Sequence, residues 1–156
     1  MDYTIEYLAD RPATIAEVGD LKYGHWQHTS PDRPYDVWID EIRYSARRDA
    51  FPMTLVAIAG DELLGFVTLV EMDEHAAVAD GLWMITLYVK LEHRRQGIGE
   101  ALMGRCTVEA RRLGYGALHL WTDGAELTGY YAHRGWRLIG RDDEGDDVMV
   151  CGLAGA

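Results

Sequence analysis

The chain has 156 residues, and its hydrophobic (48%), aromatic (10%) and charged (26%) fractions are close to those of an average soluble globular domain. It carries 26 acidic against 15 basic residues, and this formal net charge of -11 argues against delocalised binding to nucleic acid or to an anionic membrane. The length and composition predict one compact domain over residues 1–156, and the charge is easier to reconcile with a cationic or amine-bearing substrate.

The first third of the chain is predicted to form one strand and two helices. Alternating residues 3–8 indicate a strand, and residues 13–22 indicate a helix that ends at the Gly24 break. Apolar residues recur at four-residue spacing within residues 35–48, which predicts a second helix there.

The middle of the chain has the pattern of a hairpin. Apolar residues 53–59 and 63–70 flank a turn at Gly60 and Asp61, which is typical of two antiparallel strands. The polar residues 71–80 predict a loop, and the apolar residues 82–89 predict another strand.

The remaining elements begin with a long amphipathic helix that ends at Gly114. Beyond it we expect a strand at residues 117–122, a helix at 127–134, and strands near 136–140 and 148–153. Hairpins combined with one strand-helix-strand unit predict an α/β (α+β) fold. Its central sheet would be mixed and mostly antiparallel, with about six to seven strands flanked by about four helices.

The turn at residues 94–99, which we call the 94–99 loop, carries the clearest chemical signal. A strand that runs through this loop into a helix places unpaired backbone N–H groups and the positive end of the helix dipole at one spot. Gly97 and Gly99 allow positive φ or close approach of a ligand, and Arg94 and Arg95 add positive potential. A phosphate or pyrophosphate is therefore the expected ligand.

Two common nucleotide loops do not match this turn. The Walker pattern needs Gly-Lys-Ser/Thr where the chain has Gly99-Glu100-Ala101, and GxGxxG needs a glycine at Leu102. Residues 87–99 instead resemble the strand and R/Q-x-x-G-x-G/A loop of the GCN5-related N-acetyltransferase (GNAT) family, whose loop amides hold the pyrophosphate of coenzyme A. Taken alone, the motif also fits a glycine-rich turn that only permits close packing of strand and helix.

A second motif strengthens the resemblance. The segment Tyr130-Tyr131-Ala132-His133-Arg134-Gly135-Trp136 is similar to the family's aromatic-Tyr-x-x-x-Gly-aromatic segment and follows the next strand in the expected order. The resemblance covers about residues 53–153 and implies that Tyr131 is catalytic, donating a proton or a hydrogen bond to the coenzyme A sulfur. The alternative for Tyr131 is a core tyrosine packed under the sheet.

The resemblance also implies how acetyl-CoA, the acetyl donor, is held. The pyrophosphate would lie on loop and helix amides, while the pantetheine arm would pair with the strand and one strand N–H would face the thioester carbonyl. The implied donor-binding residues are Leu87, Tyr88, Val89, Arg94, Arg95, Gln96, Gly97, Ile98, Gly99 and Glu100, with the Glu100 side chain pointing away.

The general base is less clear, because the family reaction is direct attack of a neutral amine on the thioester. No carboxylate occurs in residues 81–89, where some members of the family carry a glutamate. Glu71, Asp73 and Asp80 are the candidate bases, although each also fits an ordinary solvated loop acid. His119 is a weaker candidate, since a lone strand histidine is usually structural.

The sequence leaves the amine acceptor open, beyond a primary amine of a small molecule or peptide. Aromatic residues of the N-terminal half could line its pocket or simply pack helices: Tyr23, His25, Trp26, Tyr35 and Trp38. Acidic residues could attract a polyamine, an aminoglycoside or a peptide amine, or could serve solubility: Asp32, Asp36, Asp40, Glu41 and Glu71.

Acetyl-CoA-dependent N-acetyl transfer is therefore the leading hypothesis. A coenzyme A-binding regulatory or interaction module without turnover is the alternative, favoured by the missing strand glutamate, whereas Tyr131 favours the enzyme. Transfer to oxygen, or of a longer acyl group, also remains open. The resemblance is compatible with a homodimer, but residues 148–153 fit an interface strand and a buried strand equally well.

The remaining expectations concern location and thiols. No apolar run approaches the roughly 20 residues of a membrane-spanning helix, and residues 1–4 lack the features of a secretory signal, so we expect a cytoplasmic protein. Cys106 and Cys151 lie far apart without ligand spacing, which predicts reduced, buried thiols and no metal site.

Overall fold

A computed structural model of the protein describes residues 2–72 and 81–153. Its strands are β1 (Thr4–Tyr7), β2 (Met53–Ala59), β3 (Glu62–Met72), β4 (Gly81–Val89), β5 (Ala117–Thr122), β6 (Arg137–Arg141) and β7 (Asp147–Gly152). They form one seven-stranded sheet in the order β1-β2-β3-β4-β5-β7-β6. The β1–β2, β2–β3, β5–β7 and β6–β7 pairs are antiparallel, and β4 pairs with β5 in parallel. The predicted mixed, mostly antiparallel sheet is confirmed.

The α-helices are α1 (Ile15–Trp26), α2 (Tyr35–Tyr44), α3 (Ile98–Arg112) and α4 (Ala125–Ala132). Among the described residues, none of these helices is both long and apolar enough to cross a bilayer. The predicted end of the first helix at Gly24 is wrong, because α1 continues through Gly24 to Trp26. A single glycine inside a helix costs only about 1 kcal/mol, which packing of the following turn can outweigh.

The second helix is shorter than predicted and ends at Tyr44. The Ser45 hydroxyl donates to the Ile42 carbonyl at 2.6 Å and lies 2.7 Å from the Thr54 hydroxyl, which is in turn 2.8 Å from that of Thr68. All three hydroxyl-bearing residues are buried. Serine competes for helix carbonyls with its own side chain, so this buried hydroxyl chain fixes the end of α2.

Contacts divide the chain into two compact units. The first unit contains Met1–Leu69 and Thr86–Arg105, and the second contains Val70–Ile85 and Cys106–Ala156. Strands β3 and β4 and helix α3 contribute residues to both units. The boundary of a single domain at residues 1–156 stays a prediction.

The core of the first unit joins the N-terminal helices to the β2–β3 hairpin. It consists of Leu8, Val18, Ile42, Val56, Ile58, Leu63 and Phe66. Gly60 adopts φ +62° at the hairpin turn, a conformation that glycine reaches without steric strain. The predicted hairpin is thereby confirmed.

The second unit contains the antiparallel pairs β5–β7 and β6–β7, helix α4 and the end of α3. Gly114 ends α3 with φ +93°, as predicted, and the Tyr115 amide donates to the Ala110 carbonyl. Both cysteines are free thiols, but only Cys106 is buried. The prediction of a buried Cys151 is wrong, since this residue lies on β7 and is partly exposed.

Candidate active site

The 94–99 loop presents a run of backbone amides at the start of α3. The amides from Arg95 to Gly99 have no acceptor within the described parts of the chain. The Ala101 amide, in the first turn of α3, donates to the Gly97 carbonyl at 3.0 Å. Such amides, together with the positive end of the helix dipole, form a site for an anion.

The loop backbone is held in an unusual conformation. Arg95 adopts φ +64° and Gly97 adopts φ +83°. Left-handed residues are a feature of the concave amide nests that bind anions. Glycine takes this conformation freely, whereas for an L-residue such as Arg95 it costs about 1–2 kcal/mol.

Arg94 fastens the loop to the end of β4. Its Nε donates to the Val89 carbonyl at 2.8 Å, and its guanidinium carbon lies 5.6 Å from the centre of the Tyr88 ring. The predicted electrostatic contribution of Arg94 is therefore accompanied by a structural one. Arg95 and Gln96 are exposed and have no side-chain partner among the residues with described placement.

Buried side chains anchor both ends of the loop. His93 and Ile98 are buried, whereas Gly97 and Glu100 are exposed. The loop backbone at Gly97 is therefore exposed to solvent, while the side chains of His93 and Ile98 pack inside the protein. Glu100 lies in the first turn of α3, where an acidic side chain is favoured by the helix dipole.

The end of β4 that precedes the loop departs from regular strand geometry. Thr86 adopts φ +50°, and its buried hydroxyl has no partner among the described residues. A positive φ is a true outlier for a β-branched residue, and such outliers cluster at functional sites. Leu87, Tyr88 and Val89 follow it and are partly exposed.

Gly65 permits a close approach of this part of β4. A Cβ at Gly65 would lie 2.6 Å from the Tyr88 carbonyl oxygen and 3.2 Å from the Val89 Cα. Neither Gly65 nor Thr86 was predicted to belong to the site. An isolated glycine within a strand is a usable signal of close backbone approach, whereas the threonine carries no such signal.

The Tyr88 side chain is fixed within an aromatic cluster of the first unit. Its ring stacks on Phe66 with centres 5.6 Å apart, and it contacts the edges of Trp26 at 6.2 Å and His25 at 5.3 Å. Helix α1 therefore packs against the end of β4, which positions Tyr88 for a role through its backbone.

Tyr131 belongs to the second unit and lies on α4, partly buried. Its ring makes edge-to-face contacts with Tyr130 at 5.2 Å and Trp136 at 5.9 Å. Burial raises the pKa of Tyr131 to about 12, with a smaller contribution from Tyr130. Its hydroxyl has no partner in the described ranges, so its hydrogen is available to donate to a ligand.

Of the four candidate bases, Glu71 and His119 lie within the described residues. Glu71, at the end of β3, accepts a hydrogen bond from the Tyr115 hydroxyl, and burial followed by this contact raises the pKa of Tyr115 to about 12. His119 Nδ1 lies 3.1 Å from the Leu82 carbonyl, so this histidine has a structural partner. Asp73 and Asp80 lie outside the described residues.

The N-terminal aromatic residues mainly pack the helices together. Tyr23 on α1 makes edge contacts with Tyr35 at 5.1 Å and Trp38 at 6.2 Å, both on α2. Asp40 and Glu41, two of the acids proposed to attract an amine, instead form ion pairs with Arg43 and Arg33.

In the described part of the chain, no group of three or more histidine, cysteine, aspartate or glutamate side chains is arranged to hold a metal ion.

The chain matches a protein-family model and is similar in fold to several solved structures. The family model described as "Acetyltransferase (GNAT) family" matches residues 15–136, whereas no curated protein matches the chain significantly. Among solved structures, it is similar to the aminoglycoside 6'-N-acetyltransferase from Enterococcus faecium, with 17% identity, a TM-score of 0.72 and coverage of 100% of this chain and 99% of that chain.

Two further structures hold a coenzyme. The PaiA N-acetyltransferase from Thermoplasma acidophilum, in complex with coenzyme A, shares 18% identity with a TM-score of 0.64, covering 97% of this chain and 99% of that chain. YncA from Salmonella typhimurium, with acetyl-CoA, shares 19% identity with a TM-score of 0.75, covering 100% and 96%. At these identities the likeness shows a shared fold.

Proposed function

The chain belongs to the acetyltransferase (GNAT) family, and from this premise we propose that it transfers the acetyl group of acetyl-CoA to the primary amine of a small molecule or peptide. The observation that carries the proposal is the run of unpaired amides from Arg95 to Gly99 at the N-terminus of α3. Because these amides have no acceptor among the described residues, they are available to donate hydrogen bonds to the pyrophosphate of coenzyme A.

In the proposed donor complex, the pantetheine arm runs along Leu87, Tyr88 and Val89. These residues are partly exposed, and the left-handed Thr86 before them reorients the strand backbone. An N–H of this segment would face the thioester carbonyl and stabilise the negative charge that develops on its oxygen. Arg94 supports the segment by holding the Val89 carbonyl.

In the reaction itself, the nitrogen of the neutral amine attacks the thioester carbon, the carbon–sulfur bond breaks, and coenzyme A leaves as a thiolate. We assign Tyr131 as the hydrogen-bond donor to this sulfur. Because the pKa of Tyr131 is about 12 and a thiol titrates near 8.5, full proton transfer to the thiolate would be uphill by roughly three to four pKa units. The raised pKa therefore favours hydrogen bonding over complete proton transfer.

The test combines coenzyme A release with mass spectrometry. The purified protein is incubated with acetyl-CoA and a panel of primary amines, and we expect release of coenzyme A only with an acceptor that gains one acetyl group. Tyr131→Phe should keep its affinity for acetyl-CoA while kcat falls about 100-fold. Tyr130→Phe is the matched control, since it removes the hydroxyl of the adjacent tyrosine on the same helix.

Two other outcomes would overturn parts of the proposal. Tight acetyl-CoA binding without turnover on any amine would favour the coenzyme A-binding module. Calorimetry that detects no binding of acetyl-CoA or coenzyme A would remove the assignment of the 94–99 loop.

A further inference from the structure

A buried lysine lies on the inner face of α1. Lys22 is only 8% exposed, and it forms no hydrogen bond or ion pair with the described residues. Its ammonium lies 6.0 Å from the centre of the Trp38 ring on α2. Burial, followed by the nearby positive charge of Arg33, lowers the pKa of Lys22 to about 8.

The surroundings of Lys22 contain hydrogen-bond donors with no matching acceptor. The Arg33 guanidinium lies 4.7 Å from the same Trp38 ring, but its charge is balanced by an ion pair with Glu41. Trp38 is 3% exposed, and its buried indole N–H has no partner in the described chain. Among the residues with described placement, the positive charge of Lys22 thus has no counter-ion and lies near an indole N–H that makes no hydrogen bond.

This arrangement is unfavourable for the protein alone. Removing an ammonium from water without a counter-ion lowers stability, and an apolar side chain would fill the position better. The chain has 26 acidic residues, yet none of the described ones pairs with Lys22; on the same two helices, Asp20 accepts from the Tyr35 hydroxyl and Asp40 pairs with Arg43. The unbalanced charge therefore points to a ligand that brings an anion.

Helix α1, which carries Lys22, contacts the proposed donor segment at residues before and after this lysine in the sequence. On one side of it along α1, the Glu17 carboxylate lies 2.7 Å from the Lys90 ammonium, immediately after β4. On the other side, the Trp26 ring contacts Tyr88 within β4. Lys22 lies on α1 between these two contacts.

We propose that Lys22 and the indole N–H of Trp38 bind a carboxylate of the acceptor, which is therefore an amino acid rather than a simple amine or polyamine. A carboxylate brings one negative charge, which balances the one unpaired ammonium, whereas a phosphate dianion would leave excess negative charge in a buried site. The inference rests on the proposed function, because it names the class of acceptor for that reaction.

The first test compares acceptors that differ only in this charge. The proteinogenic L-amino acids and their α-carboxamides are offered with acetyl-CoA to the wild type, Lys22→Met and the control Arg43→Met, which removes an exposed cation of α2. We expect the wild type to prefer the acids by at least about tenfold in kcat/KM, the value of one charged hydrogen bond. Lys22→Met should abolish this preference by raising KM for the acids alone, and Arg43→Met should keep it.

The second test needs no turnover. Calorimetry with coenzyme A present measures binding of N-acetylated amino acids and of their carboxamides, and nuclear magnetic resonance follows the Trp38 indole N–H, assigned with Trp38→Phe. We expect the acids alone to bind and shift this resonance, and Lys22→Met to prevent both effects.

The two tests separate the possible failures. Binding of the acids through Lys22 without turnover on any amine would contradict the proposed function but keep the carboxylate site. Equal use of acids and carboxamides, equal losses for both in Lys22→Met, or no binding of the acids would overturn the carboxylate site.

Discussion

The 94–99 loop and the α1–α2 layer belong to the same unit, but they present their polar groups in opposite ways. The loop turns backbone amides outward, and the side chains of Arg95 and Gln96 are exposed and unpaired in the described structure. The layer instead buries the side chains of Lys22 and Trp38. A binding site formed by backbone amides can be recognised in the sequence from the spacing of its glycines. A site formed by side chains depends on which distant residues the fold brings together, so no local pattern reveals it.

The largest expected effect concerns the backbone of β4. Gly65→Ala would place a Cβ 2.6 Å from the Tyr88 carbonyl oxygen, so β3 and β4 would have to move apart. We expect the free energy of unfolding to fall by about 3 kcal/mol, together with weaker acetyl-CoA binding. Urea unfolding measures the first effect and calorimetry the second. Gly104→Ala is the control, since its Cβ meets nothing within 4 Å on a helix, and it should not destabilise the protein.

The next prediction concerns Lys22, whose substitution is expected to increase the free energy of unfolding rather than to lower it. Lys22→Met should increase the free energy of unfolding at pH 7 by on the order of 2 kcal/mol, because it removes a buried charge. The pKa of Lys22 is about 8 in the folded protein, below its ordinary value of 10.5, so the unfolded chain binds more protons between these values.

The stability of the wild type therefore rises with pH in this window, and the advantage of Lys22→Met should shrink from pH 8 to pH 10.5. Urea unfolding of both proteins across this range measures the difference. A constant difference would show that lost packing or some other effect, and not the charge, separates the two proteins.

Within the 94–99 loop, two glycines are expected to respond differently. Gly97 has φ +83°, so Gly97→Ala strains the loop by about 1–2 kcal/mol and should weaken acetyl-CoA binding roughly tenfold. A Cβ at Gly99 would lie 3.9 Å from a Val89 methyl group, an ordinary contact, so Gly99→Ala should bind nearly as the wild type. Equal losses for both variants, measured by calorimetry, would contradict the proposed importance of the left-handed backbone.

The smallest effect is expected for an exposed side chain of the loop. Arg95→Gln removes a solvated charge and should weaken acetyl-CoA binding only about threefold, with a lower dependence on salt. Titrations at two salt concentrations measure both quantities. If Arg95→Gln lost more acetyl-CoA affinity than Gly97→Ala, binding at the loop would depend mainly on side-chain charge. The proposed contrast between a backbone site in the loop and a side-chain site in the α1–α2 layer would then be wrong.

The order of strands and helices could be predicted largely from the sequence, and the errors lie at element ends. Gly24 did not stop α1, because the next turn packs Trp26 against Phe66 and Tyr88. The early end of α2 came from the Ser45 hydroxyl, which is buried among partners distant in the chain. Local propensity cannot anticipate either contact.

The candidate site could be predicted only where one segment carries it. The 94–99 loop and Tyr131 were found by motif, and their assigned roles stay predictions. The left-handed Thr86 and the unbalanced charge of Lys22 were not found. Conversely, the contact of His119 with the Leu82 carbonyl depends on two strands that the sequence could not place side by side.

The sequence by itself determined the alternation of strands and helices and the glycine-containing turn before α3, because periodicity and backbone freedom are properties of neighbouring residues. The tertiary structure alone decided that burial raises the pKa of Tyr131 and that Lys22 has no counter-ion among the described residues. Burial and charge balance depend on residues that are far apart in the chain, so they exist only once the chain has folded.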